Sequence, residues 1–306
     1  MIKRLFLLLV CLVSLTACGG SVEVSSPRLA VARGGDSTGY SEPRFAALDG
    51  RDLGPVPVPY LPISLFYSRD GRVRATFRNR SGQRPEIEVI STSGTIQRTI
   101  GVDDAGSIAW MAVSPSGRWI LYVAEVVDPL DNTLRHSLRL VRPDGSGRRE
   151  LLRVPYPDQV LGIGAVDPSD TMVAYSIQDG TSSRMWVKPI KEGPAVPISS
   201  EGAFDAVGEF SPDGSLISLL TFAEVGGTFT WRAGLVGVDG SGFRMLGITG
   251  DMFWGACFAP DGRSMYVTSS ADNGETNIVR EVGVDGTVRR TLTSLGPLDS
   301  VTAVLR

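Results

Sequence analysis

Beyond residue 20, short apolar stretches alternate with polar, turn-forming breaks, and no window carries amphipathic helical spacing. Segments such as Ile217-Ser218-Leu219-Leu220 and Met265-Tyr266-Val267-Thr268 are rich in strand-forming residues. One arrangement recurs five times: an apolar stretch enters a Pro-Asp-Gly-type turn and a second stretch leaves it. The turns are Phe66-Tyr67-Ser68-Arg69-Asp70-Gly71, Val113-Ser114-Pro115-Ser116-Gly117, Val166-Asp167-Pro168-Ser169-Asp170, Phe210-Ser211-Pro212-Asp213-Gly214 and Phe258-Ala259-Pro260-Asp261-Gly262. Their last residues, 71, 117, 170, 214 and 262, stand 46, 53, 44 and 48 positions apart. Proline presets φ at the first corner, aspartate bonds backbone amides and glycine takes the positive φ, so each predicts a hairpin.

A second series of turns falls between these: Asp144-Gly145-Ser146-Gly147, Asp239-Gly240-Ser241-Gly242 and Asp285-Gly286-Thr287, with weaker forms at Ser93-Gly94-Thr95 and Glu192-Gly193-Pro194. Each unit therefore holds four strands, the content of a propeller blade. The segment Ser300-Val301-Thr302-Ala303-Val304-Leu305 aligns with the strand that precedes each Pro-Asp-Gly turn, whereas residues 28–57 hold three strand-like pieces and lack that first strand. The two incomplete ends predict a sixth blade whose strands come from both termini, closing the ring and removing open sheet edges. The Phe-Ser-Pro-Asp-Gly turns with Asp-Gly-Ser-Gly turns between them resemble the repeats of TolB-like six-bladed propellers over residues 28–306, most closely at 210–214 and 258–262. The resemblance implies an all-β fold of six four-stranded antiparallel blades. About nine residues separate Cys18 from the first strand, so the N-terminal α/β domain of TolB is not expected, and TolB's partners do not transfer on fold alone.

Composition narrows the chemistry. The 306 residues include 33 acidic and 30 basic side chains, a net charge of −3, which gives no electrostatic basis for nucleic-acid binding. The single histidine, His136, excludes a multi-histidine metal site. At the N-terminus, Lys3 and Arg4 precede an apolar run from Leu5 to Leu15, about 16 Å as a helix and too short to span a bilayer. The run has the form of a secretory signal and ends in Leu15-Thr16-Ala17-Cys18-Gly19, which resembles the bacterial lipobox. That resemblance implies cleavage before Cys18 and acylation of its thiol. Residues 1–17 are then a signal peptide, 18–27 a lipidated tether and 28–306 the propeller. The expected location is the cell envelope: the periplasmic side of the outer membrane in a host with two membranes, otherwise the outer face of the plasma membrane. Cys11 leaves with the signal and Cys18 is acylated, so no intrachain disulfide is expected. Cys257, inside an apolar segment, reads as a buried thiol.

Catalytic motifs find no support. Gly35-Asp36-Ser37-Thr38-Gly39 matches Gly-x-Ser-x-Gly but has no readable helix behind it, and His136 lies in a strand of another blade. Gly162-Ile163-Gly164 lacks the third glycine of a dinucleotide fingerprint. No cofactor or metal is expected. What stands out is a set of carboxylates in the connections leading to the innermost strands: Asp103, Asp104, Asp158, Glu201, Asp205, Asp251 and Asp299. They read as an acidic rim about the channel mouth, beside the plainer reading that loops are polar and aspartate suits turns. Residues 125–134, 222–230 (with Phe222 and Phe229) and 271–276 read as irregular loops on the same face. Rigid frameworks commonly carry function on such loops. The function expected is that of a monomeric, non-catalytic scaffold for an envelope protein or peptide, with Phe222 or Phe229 as anchors. The alternatives are a lactonase- or lyase-like enzyme and a small-ligand or glycan sensor. Arg98, Arg148, Arg149, Arg244, Arg289 and Arg290 fall on outer strands, where charge blunts exposed edges, the alternative being contact with an anionic envelope surface.

Overall fold

A computed structural model describes residues 27–33, 42–58, 65–155, 158–180, 182–199, 204–225, 228–250, 252–270, 276–292 and 300–305. The expected signal peptide, Cys18, the Gly35–Gly39 motif, Glu201, Asp251 and Asp299 lie outside these residues. The described residues form strands joined by turns, arranged as six antiparallel blades. Blade 1 is ordered β24 (Ser300–Leu305), β1 (Arg28–Arg33), β2 (Glu42–Ala47) and β3 (Asp52–Pro55). Blade 2 comprises β4 (Phe66–Tyr67), β5 (Arg74–Arg78), β6 (Glu86–Ile90) and β7 (Ile96–Gly101). Blade 3 comprises β8 (Ser107–Val113), β9 (Ile120–Val127), β10 (Leu134–Val141) and β11 (Arg149–Pro155). Blade 4 comprises β12 (Gln159–Val166), β13 (Met172–Asp179), β14 (Ser182–Pro189) and the short β15 (Val196–Pro197). Blade 5 comprises β16 (Phe204–Phe210), β17 (Leu216–Val225), β18 (Thr228–Gly237) and β19 (Arg244–Gly250). Blade 6 comprises β20 (Met252–Phe258), β21 (Ser264–Ser270), β22 (Asn277–Gly283) and β23 (Val288–Thr291).

The expected closure is present. β24 pairs with β1, Arg28 opposite Leu305 and Leu29 opposite Val304. Because successive side chains of a strand point to opposite faces, each blade feeds two junctions. In β9, Ile120, Tyr122 and Ala124 pack toward blade 2, while Leu121 and Val123 pack toward blade 4. In blade 1, Leu29, Val31 and Val304 join the blade 6 side, and Ala30, Phe45 and Leu305 join the blade 2 side. Every one of the six junctions holds its own buried apolar cluster, so the core is a ring of interfaces between sheets rather than one central mass.

Turn chemistry follows the sequence. Gly71, Gly117, Gly214 and Gly262 have positive φ, and Ser211 Oγ donates to Asp213 and accepts from the Leu216 amide. In the divergent turn at 166–170, Asp170 takes φ +58° in place of glycine, and the Asp167 carboxylate accepts the Thr171 and Met172 amides. These turns also touch around the ring. A Cβ on Gly117 would sit 2.9 Å from Val73 of the preceding blade, and Ser116 Oγ donates to Asp170 of the next. The turns between first and second strands and between third and fourth strands share one side of the ring, here the tight-turn face. The remaining connections share the other, the loop face.

Candidate functional site

The loop face is assembled from connections between second and third strands and between one blade and the next. Asp103 and Asp104 lie in the connection from β7 to β8. Asp104 accepts two hydrogen bonds from Arg139, at 2.6 and 2.7 Å, and this contact holds its carboxyl below the usual range. Arg139, only 8% exposed, reaches Asp104 from β10 and also lies 3.5 Å from Glu150. Ser137 and Arg153 both donate to Glu150, each at 2.7 Å. Asp103 is paired with Arg84. These two expected rim carboxylates are thus partly neutralised by arginines, which weakens any long-range field they produce.

Asp158 is half-buried just before β12. Asp205 departs from the expected rim. It stands within β16 and is 2% exposed, because the strand runs on past the position where the sequence suggests a loop. Burial raises its pKa, opposed by hydrogen bonds from Thr221 and Ser199. Where a loop is expected at 222–230, residues 222–225 and 228–230 are likewise strand. β17 and β18 are ten residues each, Phe222 pairs with Trp231, and Phe229 pairs with Glu224. The backbone therefore places the two expected aromatic anchors in a hairpin wall, where alternation rather than loop exposure governs them.

A different apolar element occupies the loop face. In the β9–β10 hairpin the Asn132 amide donates to the Asp128 carbonyl, and the Asp128 carboxylate accepts the Leu130 amide. Asp131 accepts the Thr133 amide, and Arg135 bridges Asp128 and Asp131 at 3.0 and 2.6 Å. This internally bonded loop holds Leu130 at the tip, 94% exposed, with Val127 and Leu134 exposed at the strand ends beneath it. The signal is visible in Asp128-Pro129-Leu130-Asp131-Asn132, where a large apolar residue sits among turn formers and no strand partner can cover it.

Other titratable groups are internal. His136, placed in a strand as expected, is buried, with Nε2 3.7 Å from Glu125. Ser107 donates to the same Glu125 carboxylate. Serine and histidine thus meet opposite oxygens of one glutamate instead of each other, which is not the order of a nucleophile–base pair. On β16, Glu209 accepts the Phe258 amide, and burial lifts its carboxyl to about 7. The adjacent Cys257 thiol is buried and pushed up, the environment of an inert cysteine. Among the described residues no group of three or more His, Cys, Asp or Glu is placed to hold a metal ion.

No protein-family model matches the chain, and no curated protein matches it in sequence. Solved structures do resemble it. TolB from Acinetobacter baumannii aligns with 95% of this chain and 69% of its own at 15% identity, with a TM-score of 0.64. The fold is that of a TolB-like six-bladed propeller. A chain of a nidogen/laminin complex aligns over 91% of this chain and 97% of its own at 14% identity and a TM-score of 0.60. An oligogalacturonate lyase from Vibrio parahaemolyticus aligns over 86% and 73% at 13% identity and a TM-score of 0.52. The TolB-like framework is thus shared with proteins whose names denote binding and catalysis alike, and at such identities only the architecture is common to them.

Proposed function

We propose that the chain is a lipid-anchored protein of the bacterial cell envelope, acylated at Cys18, whose TolB-like propeller binds a protein or peptide through its loop face without catalysing a reaction. The observation that carries the binding reading is the Leu130 tip: a large apolar side chain held out by a hydrogen-bonded loop between Asp128 and Asp131, with Val127 and Leu134 below it. An apolar anchor inside a polar rim is the usual anatomy of a binding hot spot. Asp158, together with Glu201, Asp251 and Asp299, supplies a negative surround suited to a basic partner, to which the arginine-paired Asp103 and Asp104 add little, with electrostatics acting mainly on association rate. Likeness to a protein-complex propeller and to TolB supports a protein partner.

Site-specific photocrosslinking from position 127, beneath Leu130, in the native envelope tests the binding reading. One dominant crosslinked partner is expected, lost in Leu130→Asp, while a Pro-Asp-Gly-face substitution such as Arg118→Ala leaves capture intact. Capture unaffected by Leu130→Asp but abolished at the tight-turn face would reverse the assignment, and turnover of an oligogalacturonide by the purified chain would overturn the non-catalytic reading. For the anchor, Cys18→Ser should release the protein from the membrane fraction and abolish the acylated mass.

A further inference from the structure

The path of the termini orients the ring. β24 runs from the loop face at Ser300 to the tight-turn face at Leu305, and β1 starts there, Arg28 opposite Leu305. A Cβ on Gly71, in the first Pro-Asp-Gly turn, would lie 3.2 Å from Leu305 Cδ1, so the chain enters the ring beside these turns. The segment from Gly19 to Pro27 that joins Arg28 to Cys18 reaches at most ~30 Å when extended. The ten residues of β17 span about 33 Å at ~3.3 Å per residue, so this tether is no longer than the wall it would have to climb to bring the loop face to a bilayer.

The two faces also differ in charge. Acidic residues dominate the loop-face connections, where Arg80 and Arg84 are the basic residues and Arg84 is paired with Asp103. An anionic surface repels that side. On the tight-turn face both signs are exposed, and there Asp144, Asp239 and Asp285 each accept an amide of their own turn. Where the outer strands leave these turns, Leu53, Ile96, Val196, Phe243 and Val288 are exposed, one each in five blades, and the rim also carries exposed Arg51, Arg98 and Arg148. Beside the tether exit, half-buried Arg28 stacks on Phe45 at 4.0 Å, with no carboxylate partner among the described residues. Apolar side chains interleaved with arginine suit the headgroup region of a bilayer, whereas a rim whose only task was to blunt sheet edges has no use for exposed leucine or phenylalanine.

We propose that the tight-turn face is the membrane side of the protein, docking on an anionic phospholipid surface through its apolar and arginine rim and holding the acidic loop face, with Leu130, toward the aqueous compartment. The docking rests on the lipid anchor at Cys18, which supplies the proximity; the face supplies the orientation.

The acylated protein, carrying a fluorophore on Cys introduced as Phe243→Cys or as Leu130→Cys, is reconstituted in vesicles of phosphatidylethanolamine and phosphatidylglycerol containing a spin-labelled lipid quencher. Cys257 is buried and does not compete for label. The label at 243 should be quenched and the label at 130 spared. Each arginine near an anionic surface is worth about five-fold in binding, so Arg51→Glu, Arg98→Glu and Arg148→Glu together should reduce the orientational preference on the order of 100-fold or more. The two labels should then quench alike, as they should in vesicles of phosphatidylcholine alone. Equal quenching at the two positions of the parent protein would overturn the orientation, and selective quenching that survives the triple charge reversal would overturn docking through the arginine rim, each leaving the anchor intact. Failure of the unlabelled protein to float with phosphatidylcholine vesicles would overturn the anchor and, with it, the docking.

Discussion

The ring closes through Leu305, at the pairing of the two chain ends. Leu305 is fully buried and packs with Ala30, Phe45, Val56, Leu65 and Ile90 where blade 1 meets blade 2. Leu305→Ala removes that packing and leaves a cavity between two sheets already fixed by their own hydrogen bonds, so little collapse can fill it. Such truncations cost roughly 2–5 kcal/mol, and the rigid surround argues for about 3 kcal/mol here. For a large domain 1 kcal/mol shifts the melting temperature by roughly 2–4 °C, which predicts a fall near 10 °C by calorimetry or by circular dichroism of the strand signal. Leu130→Ala is the control: the same chemical change at an exposed tip should move the melting temperature by less than about 2 °C. Removing residues 300–306 takes Val304 from one junction and Leu305 from the other and strips β1 of its inner partner, so cooperative unfolding should be lost altogether. A Leu305→Ala protein that melts with the parent, or a truncated one that unfolds normally, would refute the shared blade.

Two further outcomes concern charge. Folding raises the Glu209 carboxyl to about 7 from its ordinary 4.5, so the native state holds a proton that the unfolded chain releases. Stability should therefore fall as pH rises from about 4.5 to about 7, and Glu209→Gln should flatten that slope in urea titrations; an unchanged slope would remove Glu209 from the account. Asp104, held below its ordinary 3.8 by Arg139, should contribute stability above that pH and lose it on acidification. Asp104→Asn should cost about 1 kcal/mol after solvent screening, mainly because buried Arg139 is left with Ser137 and the more distant Glu150, and a neutral result by chemical denaturation would show the pair to be ornamental.

The ring was legible in the sequence because its determinants are local and repeated. A Pro-Asp-Gly turn needs only a few adjacent residues to reverse the chain, and its recurrence counted the blades before any contact was known. The missing first strand at one end and the spare strand at the other forecast the β24–β1 pairing, since an unpaired edge is costly wherever it lies. The buried state of Cys257 followed in the same way from its apolar neighbours.

The loop face was read less well, for a physical reason. Whether Asp205 meets water depends on how far β16 extends before pairing stops, and whether residues 222–230 are loop or strand depends on partners across the sheet. Neither is written in the local residues. Asp103 and Asp104 read as free rim charges because Arg84 and Arg139 are distant in sequence, and only the packing of the β7–β8 connection against β10 brings Arg139 to Asp104. Leu130 carried a local signal, an apolar residue among turn formers, but its prominence comes from the hydrogen-bonded loop beneath it. The sequence alone determined the number of blades, their turns and the way the ring closes. Tertiary structure decided which carboxylates are exposed and on which side of the ring β1 begins at Arg28, because those depend on contacts between segments that the chain holds far apart.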